Sequence, residues 1–239
     1  MNLTDRPSPN HDERLPEDGG AAAIDMLVIH YTGMVPDARA LDWLCDPASS
    51  VSAHYFIDEA GVACRLVPEN RRAWHAGVSA WRGATDINSR SIGIELSNPG
   101  HEFGYRDFPP PQIDALVTLT RDIVARHPIP RRNVVGHSDI APARKIDPGE
   151  RFPWRQLAEV GFGLWPNQGT DSTAADDTDD VAAMLAAYGY DTDNNALADV
   201  VAAFQRHFRP ERFDGVADGE TRARLAALLG SVAGGAVIS

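Results

Sequence analysis

One apolar segment constrains the fold of this chain more than any other, and it runs from Met26 to Tyr31. Its residues are continuously apolar and rich in β-branched side chains, which predicts a strand buried inside a sheet. His30 closes this strand, and an imidazole in such a buried position needs a polar partner. The fold is therefore expected to bring another polar group to the end of the strand.

From Asp25 onward the pattern is that of an α/β fold. The segment from Pro110 to Arg126 is the clearest helix, because it has proline in its first turn and one apolar face. The other predicted elements are strands at 53–58, 62–67, 91–96 and 133–136 and helices at 37–44 and 154–160. A turn at 59–61 joins the first two of these strands as a hairpin.

Composition divides the rest of the chain. Residues 1–22 are polar and rich in proline and acidic residues, which predicts a flexible N-terminal arm before a folded domain at 23–165. Residues 166–180 are mostly small and polar, which is typical of an exposed acidic linker. The segment 181–230 carries three helical patterns and is predicted to form a small three-helix domain.

The net charge of −12 argues against nucleic acid or an anionic membrane surface as a partner. No stretch approaches the roughly 18 apolar residues of a membrane-spanning helix. The first twenty residues lack the apolar core of a secretory signal, so the expected location is cytoplasmic, with the periplasm as the alternative if a signal was removed. Without export, Cys45 and Cys64 are expected to be free buried thiols, with a disulfide as the alternative. The oligomeric state is not predicted.

A second histidine follows another predicted strand. His137 opens a loop that contains Asp147, and sites in α/β folds are usually assembled from strand ends at one edge of the sheet. Together with His30, these side chains supply two imidazoles and one carboxylate, a set that suits zinc with a fourth position open for water. Asp139 is the rival carboxylate, although its closeness to His137 better suits orienting a ring nitrogen or capping the turn.

Two more charged residues are candidates for catalysis. Glu95 interrupts the apolar strand at 91–96, and a glutamate buried there would have a raised pKa and could accept a proton from water. The alternative is a glutamate at the strand edge that faces solvent, and the strand pattern alone does not decide. Lys145 could stabilise an oxyanion or could be an ordinary surface lysine.

Five segments of the chain together resemble a known enzyme family. They are Ile29-His30-Tyr31-Thr32, Ser52-Ala53-His54-Tyr55, Ala73-Trp74-His75-Ala76-Gly77, Ser91-Ile92-Gly93-Ile94-Glu95, and the loop from Gly136-His137-Ser138-Asp139 to Lys145-Ile146-Asp147-Pro148-Gly149. Over about residues 24–165 they resemble the zinc-dependent N-acetylmuramoyl-L-alanine amidases of the AmpD/AmiD type, the amidase type 2 family. Beyond residue 180, Ala203-Phe204-Gln205-Arg206 and Phe213-Asp214-Gly215-Val216 resemble the three-helix peptidoglycan-binding module.

The resemblance implies a fold and a set of catalytic residues. The fold is a central mixed β-sheet flanked by helices, as in AmpD and the related phage lysozymes, followed by the three-helix domain. One Zn²⁺ would be held by His30, His137 and Asp147. Glu95 and Lys145 would be the catalytic groups.

The resemblance also implies a substrate groove. His54, Trp74 and His75 would line it, and the alternative for all three is a role in packing. The family usually has glycine immediately before the Arg-Lys pair of the loop, whereas this chain has Ala143. This difference touches none of the expected ligands.

The implied activity is hydrolysis of the amide bond between N-acetylmuramic acid, or its 1,6-anhydro form, and L-alanine. The expected partners are peptidoglycan or anhydro-muropeptides, in cell-wall turnover or recycling. The alternatives are a non-catalytic peptidoglycan recognition module and a phage-type lytic amidase. The complete set of expected ligands together with Glu95 favours an enzyme.

Overall fold

The computed structural model describes residues 3–14, 23–166 and 178–233. The strands in these ranges are β1 (Leu3–Asp5), β2 (His11–Glu13), β3 (Met26–Tyr31), β4 (Tyr55–Ile57), β5 (Ala63–Arg65), β6 (Arg71–Ala73), β7 (Ser91–Leu96) and β8 (Val134–Gly136). The α-helices are α1 (Asp37–Cys45), α2 (Ile87–Arg90), α3 (Gly100–Phe103), α4 (Pro110–Arg126), α5 (His137–Ile140), α6 (Trp154–Glu159), α7 (Thr178–Tyr188), α8 (Leu197–Phe208) and α9 (Gly219–Ala233).

Six strands form a mixed sheet in the order β1-β5-β4-β7-β3-β8. β3 pairs in parallel with both β7 and β8, and β4 is parallel to β7 but antiparallel to β5. β2 and β6 form a separate antiparallel pair. The predicted mixed sheet flanked by helices is therefore confirmed. The strands around the 59–61 turn are shorter than predicted.

Both faces of β3 are covered, as its continuous apolar sequence predicts. Leu27 and Ile29 belong to a buried cluster with the apolar face of α4. Met26 and Val28 point to the opposite face, because side chains alternate along a strand, and belong to a cluster with α7, α8 and α9. The second cluster includes the residues of the predicted apolar face of α8, Val200, Val201, Phe204 and Phe208. The three-helix domain thus shares a hydrophobic core with the sheet.

The predicted flexible arm is wrong for residues 3–14. β1 pairs with β5 and β2 pairs with β6, so this N-terminal segment lies against the folded domain. Its anchors are polar: the buried amide of Asn10 donates to the carbonyl oxygens of Asp46 and Val51, both at 2.8 Å. Polar side chains that bond to backbone leave no hydrophobic pattern, so composition alone suggested disorder. Residues 1, 2 and 15–22 of the predicted arm lie outside the described ranges.

Arg14 is a further polar anchor of this segment. Its guanidinium donates to the carbonyl oxygens of Glu69, Asn88, Ser89 and Ser91 at 2.8 to 3.0 Å. Burial lowers the pKa of this guanidinium to about 10, which still leaves it charged at neutral pH. The charge is thus stabilised by backbone oxygens near the start of β7.

Three further predictions concern the remaining chain. The three C-terminal helices form as predicted, whereas residues 167–177 of the predicted linker lie outside the described ranges. Cys45 and Cys64 are free, but both are partly exposed, because they lie near the outer β1–β5 edge of the sheet. No helix in the described part of the chain is long and apolar enough to span a bilayer.

Candidate metal centre and active site

Three side chains from distant parts of the sequence meet at one edge of the sheet. His30 lies near the end of β3, His137 begins α5 directly after β8, and Asp147 lies on the loop that follows. His30 Nδ1 is 3.0 Å from His137 Nδ1 and 3.1 Å from Asp147 Oδ2. His137 Nδ1 and Asp147 Oδ2 are 3.2 Å apart, and all three residues are buried. The structure therefore brings together the three predicted ligands, which we call the donor triad.

The outer nitrogens of both histidines already have hydrogen-bond partners. His137 donates from Nε2 to the carbonyl oxygen of Ala76 at 3.1 Å. His30 donates from Nε2 to His75 Nδ1 at 3.1 Å, and His75 Nε2 donates to the hydroxyl oxygen of Ser91 at 3.2 Å. These bonds keep the protons on Nε2 and leave both Nδ1 lone pairs directed into the triad, as in metal-ligating histidines.

This donor set fits a divalent cation. Two unprotonated nitrogens and a carboxylate oxygen only 3.0 to 3.2 Å apart repel one another unless a positive charge lies between them. A tetrahedral ion with bonds of roughly 2.0 to 2.2 Å separates its ligands by roughly 3.3 to 3.6 Å, close to the separations seen here. Three protein ligands leave one position open, as in catalytic zinc sites.

The protonation states also suit metal binding. Burial lowers the pKa of His30 to about 4, with a further contribution from His137, so the imidazole is neutral at pH 7. Burial alone would raise the pKa of Asp147, but His137 and His30 outweigh it and hold that pKa well below its usual range. Neutral imidazole and ionised carboxylate are the forms that bind metals.

Glu95 lies directly opposite His30 in the parallel pairing of β3 and β7. Its Oε2 atom is buried and, among the described residues, has no hydrogen-bond partner. Burial, and then the charge of Asp147, raises the pKa of Glu95 to about 8, while Lys145 opposes this shift. Glu95 is partly buried on an interior strand of the sheet, so the alternative of a glutamate at the strand edge that faces solvent is wrong. A divalent cation in the donor triad would also favour the charged carboxylate.

A cavity of about 350 Å³ lies beside the donor triad. Glu95 and Lys145 line it together with His137 and Asp147. Much of the remaining lining is apolar and comes from α1 and its neighbours, namely Met34, Ala40, Trp43, Leu44 and Val51. Trp43 could not be recognised from the sequence, because its only signal is an aromatic side chain on the exposed side of a short helix.

Comparison with known proteins agrees with this arrangement. Residues 20–150 match the model of a family described as N-acetylmuramoyl-L-alanine amidase, and residues 174–225 match that of a peptidoglycan binding domain. The chain belongs to the N-acetylmuramoyl-L-alanine amidase family. The predicted family, with its additional C-terminal module, is thereby confirmed.

Several known proteins resemble this chain over much of its length. N-acetylmuramoyl-L-alanine amidase AmiD of Escherichia coli K12 is 43% identical over 91% of this chain and 87% of its own. A structure of E. coli AmiD superposes with a TM-score of 0.80 at 40% identity, covering 93% of this chain and 98% of that one. The structure of AmpDH3 from Pseudomonas aeruginosa gives a TM-score of 0.81 at 35% identity, covering 90% and 94% respectively.

The three predicted groove residues have different positions in this amidase. Trp74 and His75 line the cavity, and His75 also contacts His30 from behind the donor triad. The prediction is wrong for His54, which is fully buried and outside the cavity lining. Both of its nitrogens have partners away from the cavity: the Gly93 amide donates to Nδ1, and Nε2 lies 3.0 Å from the Arg71 carbonyl oxygen and 2.7 Å from the Arg14 guanidinium.

The N-terminal segment of the amidase supports the cavity wall. Asp12 on β2 accepts a hydrogen bond from the indole Nε1 of Trp74 at 2.8 Å. The Trp74 backbone amide donates to the hydroxyl of Ser52, which itself donates to the carbonyl oxygen of Asn10. Asp12 could not be recognised from the sequence, because an isolated exposed aspartate in a polar segment carries no pattern.

Asp139 does not belong to the donor triad. Its carboxylate accepts a hydrogen bond from the Gly136 backbone amide at 2.7 Å and caps the first turn of α5, one of the two roles considered for it. Its other partners come from the three-helix domain.

We expect the amidase to bind one Zn²⁺ per chain, with Zn²⁺ as the probe ion. His137→Ala removes one of three donors and should weaken binding on the order of 100-fold or more, because the remaining two ligands hold the ion poorly. Competition with a chromophoric chelator measures the dissociation constant. His127→Ala is the control, because His127 bonds Glu69 away from the donor triad. Equal affinities for the wild type and His137→Ala would contradict the assignment.

Proposed function

We propose that this amidase uses one zinc ion to hydrolyse the amide bond between N-acetylmuramic acid, or its 1,6-anhydro form, and L-alanine. The observation that carries the proposal is the donor triad, beside which Glu95 and Lys145 line the same cavity. Zinc is supported by the ligand chemistry, since two imidazole nitrogens and one carboxylate are common in catalytic zinc sites.

The solved relatives support the substrate class. The AmiD structure contains the substrate anhydro-N-acetylmuramic acid-L-Ala-D-gamma-Glu-L-Lys, and an AmpDH3 structure contains an anhydromuramic pentapeptide. We infer that this chain takes anhydro-muropeptides or the corresponding units of peptidoglycan, in wall turnover or recycling. A cytoplasmic location stays a prediction, with the periplasm as its alternative.

His30, His137 and Asp147 would hold the ion, and zinc bound there would act as a Lewis acid on water and on the scissile carbonyl. Glu95 accepts a proton from the attacking water as the new C–O bond forms on the lactyl carbonyl carbon. The C–N bond then breaks, and Glu95 returns the proton to the departing alanine nitrogen. The products are a free lactyl carboxylate and a peptide with a free amino terminus.

Lys145 has a separate part in this reaction. It lines the cavity, and its positive charge acts on both Glu95 and His30. A cation in this position offsets negative charge on the carbonyl oxygen during water attack. It also favours the ionised form of Glu95, which is the form that accepts a proton.

We expect Glu95→Gln to lower kcat/KM by roughly 10²- to 10⁴-fold, because the amide cannot accept the proton from water. Zinc content should not change, since Glu95 is outside the donor triad. Mass spectrometry of anhydro-muropeptide digests measures the rate, and digestion in H₂¹⁸O should place the label on the muramic acid carboxylate.

The control for this prediction is Glu102→Gln, an exposed glutamate on α3 that does not line the cavity. Full activity of Glu95→Gln would overturn its role as the proton acceptor. A wild-type protein that binds muropeptide and zinc but releases no peptide would instead support the recognition module.

We also propose that Trp74 contacts the substrate and that Asp12 holds its indole in place. Asp12→Asn weakens this charge-assisted hydrogen bond, so KM should rise about three- to tenfold with kcat changed less than about twofold. Steady-state kinetics on anhydro-muropeptides measures both constants. Glu13→Gln is a matched control, because Glu13 follows Asp12 in β2 and pairs with Arg71 instead. An unchanged KM in Asp12→Asn would contradict this role.

A further inference from the structure

The segment between His137 and Asp147 contains a buried carboxylate that the proposed reaction does not use. Asp139 is only 1% exposed and follows His137 by two residues. Its Oδ1 accepts a hydrogen bond from the Tyr190 hydroxyl at 2.7 Å, and its Oδ2 accepts one from His207 Nδ1 at 2.7 Å. Both donors belong to the three-helix domain, although Asp139 belongs to the amidase domain.

These two donors are held in place by aromatic packing. The ring of Tyr190 meets Trp81 edge to face, with centroids 5.1 Å apart. The ring of His207 stacks on Trp154 with a centroid separation of 3.7 Å and an interplanar angle of 18°. Because rings packed in this way have little freedom, the two donors present a fixed geometry to Asp139.

Close packing also connects the strand end before His137 with the loop that carries Asp147. A side chain at Gly136 would meet Pro148 at 2.7 Å and Trp154 at 3.2 Å, so the strand end, the loop after Asp147 and Trp154 are in close contact. The backbone amide of Ser138, the residue after His137, donates to the carbonyl oxygen of Asp147 at 2.9 Å. A displacement of Asp139 would therefore be transmitted to the loop that carries two of the three donors.

We propose that the three-helix domain has a role beyond any binding of peptidoglycan: Tyr190 and His207 hold Asp139 and thereby fix His137 in the donor triad. Both are positioning residues, and the proposal rests on the metal site of the proposed function. Without Tyr190 and His207, the Gly136 backbone amide is the one hydrogen-bond donor left to Asp139 among the described residues. A buried carboxylate that loses two of its three donors is unfavourable and moves towards water. Asp139 then carries α5, and with it His137 Nδ1, away from His30 and Asp147.

The test is the zinc affinity of the full-length protein with conservative ring substitutions at this contact. Tyr190→Phe removes only the hydroxyl that donates to Asp139. Tyr188→Phe is the matched control, because its ring stacks beside Tyr190 in the same cluster but no hydrogen bond among the described residues joins it to Asp139. His207→Phe keeps a ring for stacking on Trp154 and removes the second donor.

Competition with a chromophoric chelator gives the zinc dissociation constants, and circular dichroism confirms that each variant is folded. Loss of a residue that hydrogen-bonds a metal ligand typically lowers metal affinity 10- to 100-fold. Tyr190 bonds Asp139 and not a ligand, so loss of its hydroxyl should lower the affinity less. We expect zinc binding to be about three- to tenfold weaker in Tyr190→Phe and less than about twofold weaker in Tyr188→Phe. The double variant that combines Tyr190→Phe with His207→Phe should bind zinc about 10- to 100-fold more weakly. Activity lost in Tyr190→Phe should return when zinc is added.

Wild-type zinc affinity in a folded Tyr190→Phe would overturn the proposal, as would equal weakening in Tyr188→Phe. The single variant keeps the test decisive even if the double variant does not fold. A wild-type protein without zinc affinity would overturn both this proposal and the proposed function. A wild type that binds zinc normally, with Tyr190→Phe unchanged, would overturn only the positioning role.

Discussion

Parallel pairing of β3 with both β7 and β8 determines where the chemistry of this protein lies. The register places His30 opposite Glu95 and places Ile29 opposite Gly136, the residue before His137. The carboxyl ends of parallel strands meet at one edge of a sheet, so groups that are distant in sequence arrive together. A shift of one residue in the register of either pairing would turn the side chains of the shifted strand to the opposite face of the sheet. The residues at this edge would then no longer meet.

The N-terminal segment at residues 3–14 and the three-helix domain both support this edge. The N-terminal segment holds the cavity wall through the hydrogen bond between Asp12 and Trp74, while the three-helix domain bonds Asp139 beside His137. Met26 and Val28, on one face of β3, share a hydrophobic core with that domain. Described residues before and after the family match thus support the amidase site, although residues 20–150 alone match the amidase family.

The parts of this structure that could be predicted are those with a periodic or spaced signal. The apolar run of β3, the amphipathic face of α4 and the histidine at each strand end all follow from local pattern. The bonds of Asp139 to Tyr190 and His207 could not be predicted, because they join residues 51 and 68 positions apart through single polar atoms. The motif residue His54 was misassigned for a similar reason, since its backbone partners leave no mark in the sequence.

The central claim is that the donor triad binds zinc through both Nδ1 atoms and one carboxylate oxygen. X-ray absorption spectroscopy of the zinc-loaded protein tests this claim most directly. We expect a four-coordinate shell of nitrogen and oxygen at roughly 2.0 to 2.2 Å, with the outer-shell scattering of two imidazoles. Sulfur scattering at roughly 2.3 Å, which would indicate Cys45 or Cys64 as a ligand, or scattering from fewer than two imidazoles, would contradict it.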